Sequence, residues 1–194
     1  QVLQTILLPS ANNMADTLAI WAYGSIDNYI AAANNYVAKH GLTQTHVGGD
    51  AMGLAPQTVS SAKDLVRLGK LAMENPVIAE IVGQSTANNI PVAGTIKNVN
   101  FLLGTNGIVG VKTGNTEQAG GVFIGAAVMK INDKDVTIVS AVAGAPNRVS
   151  AMKSTLPIVD SARANFKTVH VTRSGDTVAT YKLPWGGSIK AIAA

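Results

Sequence analysis

Residues 107–121, G-I-V-G-V-K-T-G-N-T-E-Q-A-G-G, read as an apolar strand ending at Lys112, a tight step at Gly114 and the start of a second strand. The segments 120–131 (GGVFIGAAVMKI) and 135–145 (DVTIVSAVAGA) are rich in Val and Ile, and Asn132-Asp133 between them supplies a turn. Three strands in succession are therefore expected from Gly107 onward. Taken alone, Lys112-Thr113-Gly114 is a surface hairpin with one solvated charge. A phosphate-binding loop is excluded, because that loop needs glycine directly before its Lys-Thr pair and a helix after it. Here Val111 fills the first place and a strand the second.

Upstream of the strands the periodicity is helical. Residues 11–22 place Met14, Leu18 and Trp21 on one face, and Ser25 caps a second helix carrying Ile26, Ile30, Ala33 and Val37, closed by Gly41. Residues 41–58 are glycine-rich loop. Ser60 or Ser61 caps a third helix with Leu65, Leu68 and Leu71, which stops at Asn75-Pro76, and a short helix follows at Val77 to Val82. After the strands, residues 147–166 return to helical spacing with Pro157 as a kink, and 168–194 read as short strands divided by Ser174-Gly175-Asp176 and Gly186-Gly187. Helices, then an antiparallel sheet, then a helix packing on it define an α+β fold.

Composition narrows the function. The chain has 194 residues, 47% hydrophobic and 13% charged, enough for one well-packed domain or a domain with a small appendage. It has no cysteine, which excludes a disulfide scaffold, a zinc ribbon and a cysteine nucleophile. The net charge of +4 raises nucleic acid as a partner. The basic residues are scattered, however, and aromatics make up only 5%, so a solvated basic surface, able to approach an anionic wall or membrane, is expected and no nucleic acid. His40, His46 and His170 lack metal-ligand spacing, and no metal or cofactor is expected. No membrane-length apolar stretch or signal peptide is visible. The chain opens at Gln1-Val2-Leu3 in a helix-like pattern without an initiator methionine, so a fragment or processed chain is expected.

The segment I-L-L-P-S-A-N-N puts Ser10 and Asn12 at the head of a helix. S-x-N alone says little, since any helix N-cap could be Ser or Asn. Paired with K-T-G on a strand about 100 residues later, it matches two of the three motifs, S-x-x-K, S-x-N and K-T-G, of penicillin-binding proteins and class A β-lactamases. The flanking text extends the match: LLPSANNMADTLA, AKHGLTQTHV, VSSAKDLVRLGKLA, NVNFLL, GVKTGNTEQAGG and VAGAPNR occur in order. The chain resembles the D-alanyl-D-alanine carboxypeptidases, the low-molecular-mass penicillin-binding proteins, from about residue 3 to residue 166.

That resemblance implies a DD-peptidase/β-lactamase-like fold, an antiparallel sheet flanked by helices with a helical subdomain, incomplete at the N-terminus. It implies a catalytic domain over residues 1–167, and over 168–194 the last strand material and the start of a small β-rich C-terminal domain. The implied activity is removal of the terminal D-alanine from peptidoglycan pentapeptides through a penicillin-sensitive acyl-enzyme, outside the cytoplasm at the cell wall or the outer face of the membrane. Ser10 would relay a proton to the leaving D-alanine and Asn12 would hold the substrate amide. Lys112 would supply positive potential, Thr113 would bond the terminal carboxylate, and Gly114 would leave room for the substrate backbone. The Asn115 amide would be an oxyanion donor, and Arg148 would assist carboxylate binding. Since this chemistry gathers around one carbonyl, Ser10 and Lys112 are expected within a few ångströms of each other.

Two departures stand out. The N-x-N segment is Asn98-Val99-Asn100, where family members often carry a central arginine. More important, no S-x-x-K precedes Ser10. The literal matches, Ser60-Ser61-Ala62-Lys63 and Ser150-Ala151-Met152-Lys153, follow it and are expected to be decoys at helix positions. The chain is therefore expected to lack the nucleophile and its lysine and to be inactive by itself, with the missing segment as one candidate partner beside the stem peptide and β-lactams. A class A β-lactamase-like hydrolase and a non-catalytic wall-binding protein on the same fold remain alternatives.

Overall fold

Asn132 and Asp133 adopt φ of 48° and 61°, the left-handed values that a two-residue type I′ hairpin turn requires at both central positions. The turn folds β5 (Lys134–Ala145) back along β4 (Gly120–Ile131), and β4 pairs on its other side with β3 (Ile108–Thr116). The sheet order is β3-β4-β5, antiparallel throughout. The computed structural model describes residues 1–166, 169 and 171–194.

Being central, β4 is buried on both faces, which is why its sequence is almost continuously apolar rather than alternating. One face presents Phe123 and Ala127, with Ile108, Ile138 and Val142, to α6 (Arg148–Asn165), where Ala151, Met152, Leu156 and Val159 close the core. The helix continues past Pro157. The other face presents Ile124, Ala126 and Val139 to α4 (Ala62–Glu74) and α5 (Pro76–Val82), through Leu65, Ala72, Met73, Ile78 and Val82. These layers make the expected α+β fold. Ahead of them lie α1 (Val2–Leu7), α2 (Asn12–Tyr23) and α3 (Ile26–Lys39), the last two packed on each other.

Local chemistry sets the helix starts. Ser25 Oγ accepts from Asn28 N at 3.1 Å, Ser61 Oγ accepts from Asp64 N at 3.2 Å, and Asn75 Oδ1 accepts from Val77 N and Ile78 N with Pro76 in the first turn. One hairpin was not legible in the pattern: β1 (Thr86–Ile90) pairs with β2 (Gly94–Lys97). Its strands carry few apolar residues, but Ala87, Ile90 and Ile96 bury against Leu8 and Ile81. The face of α2 bearing Met14, Leu18 and Trp21 is shared, as its spacing implies, but lines an open groove of about 600 Å³ with Leu3, Val77 and Ile81, and Trp21 is 81% exposed.

The chain divides into two compact units, Gln1–Arg163 and Ala164–Ala194. The second contains the hairpin β6 (Thr177–Lys182) and β7 (Ser188–Ile192). The boundary expected between residues 167 and 168, like His170, lies outside the described residues.

Gly69 brings α4 onto the sheet: a Cβ there would stand 2.5 Å from Ile124 Cγ2 and 2.8 Å from Val139 Cγ1, on two different strands. Both are β-branched side chains with little freedom to turn away. Gly69→Ala is expected to lower stability in urea by about 1–2 kcal/mol, overpacking outweighing the better helix propensity of alanine. A rise in stability would contradict this packing.

Candidate active site

Leu8 anchors the first half of the site. Its side chain is fully buried among Ile81, Ala87 and Ile90, and its carbonyl accepts the Val99 N–H at 3.1 Å. The Ala11 N–H returns to Thr5 O at 3.0 Å, so Pro9 and Ser10 form a tight reversal between α1 and α2. Ser10 sits at φ 64°, a left-handed conformation unusual for a residue with a side chain, and such strain persists only where surrounding structure imposes it. The N-cap of α2 is Ala11, with no side-chain cap, and so neither Ser10 nor Asn12 is spent on capping. Asn12 opens the helix, exposed to solvent, and among the described residues no hydrogen bond ties it to Ser10 or Lys112.

The Asn98-Val99-Asn100 segment is the clamp behind this reversal. Asn98 Nδ2 donates to Val82 O at 3.1 Å and Gln84 O at 2.9 Å, while its Oδ1 accepts from Asn100 N at 2.9 Å. Asn100 Oδ1 in turn accepts from Leu102 N at 3.1 Å. Both asparagines thus hold backbone, and Val99 contributes an N–H that any residue but proline would supply.

Lys112 provides the second half. It stands opposite Ile124 in the β3–β4 register, hence on the α4/α5 side of the sheet. Its Nζ donates to Ser10 Oγ at 2.8 Å, across 102 positions of sequence, and to Thr113 O at 2.8 Å. Among the described residues no carboxylate lies within 4.0 Å of it. Burial, and then the Arg148 guanidinium, pull its pKa down from 10.5 to about 8.

Thr113 is buried and Gly114 is half-buried. A Cβ at Gly114 would meet only Val122 Cβ, at an ordinary 3.7 Å, so nothing within the chain demands glycine there. Asn115 and Arg148 line a common depression of about 360 Å³ with Asn147 and Val149. Gly121, which the sequence reading did not single out, makes this possible: a Cβ there would strike the Asn147 carbonyl at 2.0 Å, so the bare strand lets the start of α6 lie against it. Its only signal was the Gly120-Gly121 pair.

The two S-x-x-K matches occupy structural positions. Ser61 caps α4 and also donates to Gln44 Oε1 at 2.7 Å, Ser60 Oγ lies 2.9 Å from Thr45 Oγ1, and Lys63 is exposed. Ser150 lies in the first turn of α6, where its N–H donates to Asn147 Oδ1 at 2.9 Å, and Lys153 is exposed.

A family model described as D-alanyl-D-alanine carboxypeptidase matches residues 1–147. The chain belongs to this family. The D-alanyl-D-alanine carboxypeptidase DacB2 of Mycobacterium tuberculosis is 37% identical over 134 residues, covering 66% of this chain and 45% of that protein. Its counterpart DacD of Salmonella typhimurium is 30% identical over 191 residues, covering 95% and 47%. The chain therefore spans about half the length of these carboxypeptidases. Among solved structures, penicillin-binding protein D2 of Listeria monocytogenes, in a cefotaxime-bound form, superposes with a TM-score of 0.71 at 30% identity, over 82% of this chain and 64% of that one.

Because Lys112 titrates near 8 when folded and 10.5 when unfolded, the unfolded chain holds more protons between those values, and stability must rise with pH across that window. Relative to Lys112→Met, the wild-type chain is expected to gain stability from about pH 8 to 10.5 in urea titrations. A difference independent of pH would contradict the desolvation of Lys112.

Proposed function

We propose that this chain furnishes the proton-relay and carboxylate-binding part of a serine-type D-Ala-D-Ala carboxypeptidase, which removes the terminal D-alanine of peptidoglycan pentapeptides outside the cytoplasm. The observation that carries the reading is the 2.8 Å contact between Lys112 Nζ and Ser10 Oγ. A hydroxyl and a half-buried cation joined in this way can pass a proton to a departing amine, and the same cation attracts the terminal carboxylate of the substrate.

The other residues fit around that pair. β3 is an edge strand of the three-stranded sheet, so an extended peptide can add along it, with Gly114 leaving the backbone unobstructed. The Asn115 N–H serves as an oxyanion donor, and Asn12 holds the amide of the scissile unit. Thr113 and Arg148 receive the carboxylate, Arg148 from the depression it shares with Asn115. The serine that forms the acyl-enzyme and its lysine come from an S-x-x-K segment, continuous with this chain or supplied as a separate one. β-Lactams, strained analogues of the acyl-D-alanine bond, are the inhibitors of the assembled site.

Release of free D-alanine from a D-Ala-D-Ala peptide tests the reading. Residues 1–194 alone are expected to release none measurably, since loss of a nucleophile removes roughly six orders of magnitude in related triads, and a protein that also carries S-x-x-K is expected to restore release. Equal rates would refute it. In the restored enzyme, Gly114→Ala is expected to leave thermal stability unchanged while lowering kcat/KM at least tenfold, through the substrate strand alone. Binding of a D-Ala-D-Ala peptide to residues 1–194 should weaken as pH rises through about 8, where Lys112 loses its charge. Binding unaffected by pH in that range would remove Lys112 from the carboxylate site.

A further inference from the structure

We propose that Ser10 and Lys112 form a nucleophile–base pair complete within this chain, able to take an acyl group from activated carboxylic esters onto Ser10 Oγ. The assignment gives Ser10 a role beyond proton relay, and it does not depend on any S-x-x-K segment. Three observations carry it. The first is the direct 2.8 Å hydrogen bond between the hydroxyl and the amine, the reach required of a base acting on a nucleophile. The second is that the pair stands without the partners that would hold lysine as a permanent cation. Neither Asp64 and Glu74 of α4 nor Glu80 of α5 forms an ion pair with Lys112, and the charged group acting on it, Arg148 at the head of α6, disfavours its proton. The third is the setting of Ser10. It is held at a left-handed φ of 64°, part-exposed, directly before the side-chain-uncapped N-terminus of the 12-residue helix α2, whose positive end favours a developing alkoxide.

The step balances without a further reactant. Neutral Lys112 Nζ takes the hydroxyl proton as Ser10 Oγ bonds the ester carbonyl carbon, and the leaving alkoxide or phenolate departs with the electron pair of the broken C–O bond. Lys112 is left as an ammonium and returns its proton to solvent. Water then hydrolyses the acyl-serine, releasing the carboxylic acid and restoring the hydroxyl. An unstrained peptide amide has a much poorer leaving group, so this pair does not substitute for the carboxypeptidase nucleophile.

The test uses residues 1–194 with p-nitrophenyl acetate, following nitrophenolate release and locating the acetyl group by peptide mass mapping. Acetylation of Ser10 is expected, with a rate that climbs through about pH 8 and then levels, as Lys112 becomes neutral. Lys112→Arg keeps the charge and cannot act as a base at these pH values, so it should lower Ser10 labelling about 10²-fold or more. Ser10→Gly removes the nucleophile while accepting the left-handed backbone, so it should fold at least as well as wild type and lose that labelling. Acetyl on lysines but not on Ser10, or equal Ser10 labelling in Lys112→Arg, would overturn the proposal. Its pH dependence also runs opposite to that of carboxylate binding. Failed acylation with intact Lys112-dependent peptide binding would therefore sink the nucleophile pair alone, and acylation without peptide binding would sink the carboxypeptidase reading alone.

Discussion

β4 must be apolar on both faces, because α6 covers one side of the sheet and α4 with α5 covers the other. That double burial sets the position of everything around it. Phe123 and Ile124, adjacent in sequence, belong to opposite cores, so a slip of one residue in register would turn each into the wrong layer. With β4 pinned, β3 is held at the edge of the sheet in one register, and Lys112 is directed to the α4/α5 side, where Ser10 lies. The site is thus a consequence of core packing rather than of any strong attraction between its members.

Close approach of backbone is the second device. Gly69 lets α4 settle on β4 and β5, and Gly121 lets the start of α6 lie along β4, which carries Arg148 toward Lys112. Neither glycine touches Lys112, yet together they shape its surroundings: desolvation on one side, a second positive charge on the other. A lysine so placed sits near neutrality of charge and base at mildly alkaline pH, a condition no solvated lysine reaches.

Much of this was readable in the chain. The three strands from residue 107, the Asn132-Asp133 turn, and the starts of α3, α4 and α5 rest on local rules: alternation, left-handed turn residues and side-chain caps whose partners lie within a few positions. The hairpin β1–β2 was not, because T-A-N-N-I and G-T-I-K have no period of their own and are ordered by Leu8 and Ile81. The anchoring role of Val99, which the sequence marks only as standing where an arginine is frequent, was hidden for a similar reason. Val99 acts through an N–H, which every residue but proline carries, so its bond to Leu8 O leaves no mark on composition.

Sequence by itself determined the class of fold, the family and the residue types available for chemistry, since hydrophobic period and motif order are properties of the chain as written. It could not say whether Ser10 caps the helix, because S-x-N before a helix fits a cap as well as any other role. Tertiary structure decided that. It gives the N-cap position to Ala11, turns Ser10 into a left-handed reversal and seats its hydroxyl 2.8 Å from an amine contributed by a strand 102 residues away. Burial there lowers the lysine pKa to about 8, and burial is a property of the packed layers, not of any stretch of sequence.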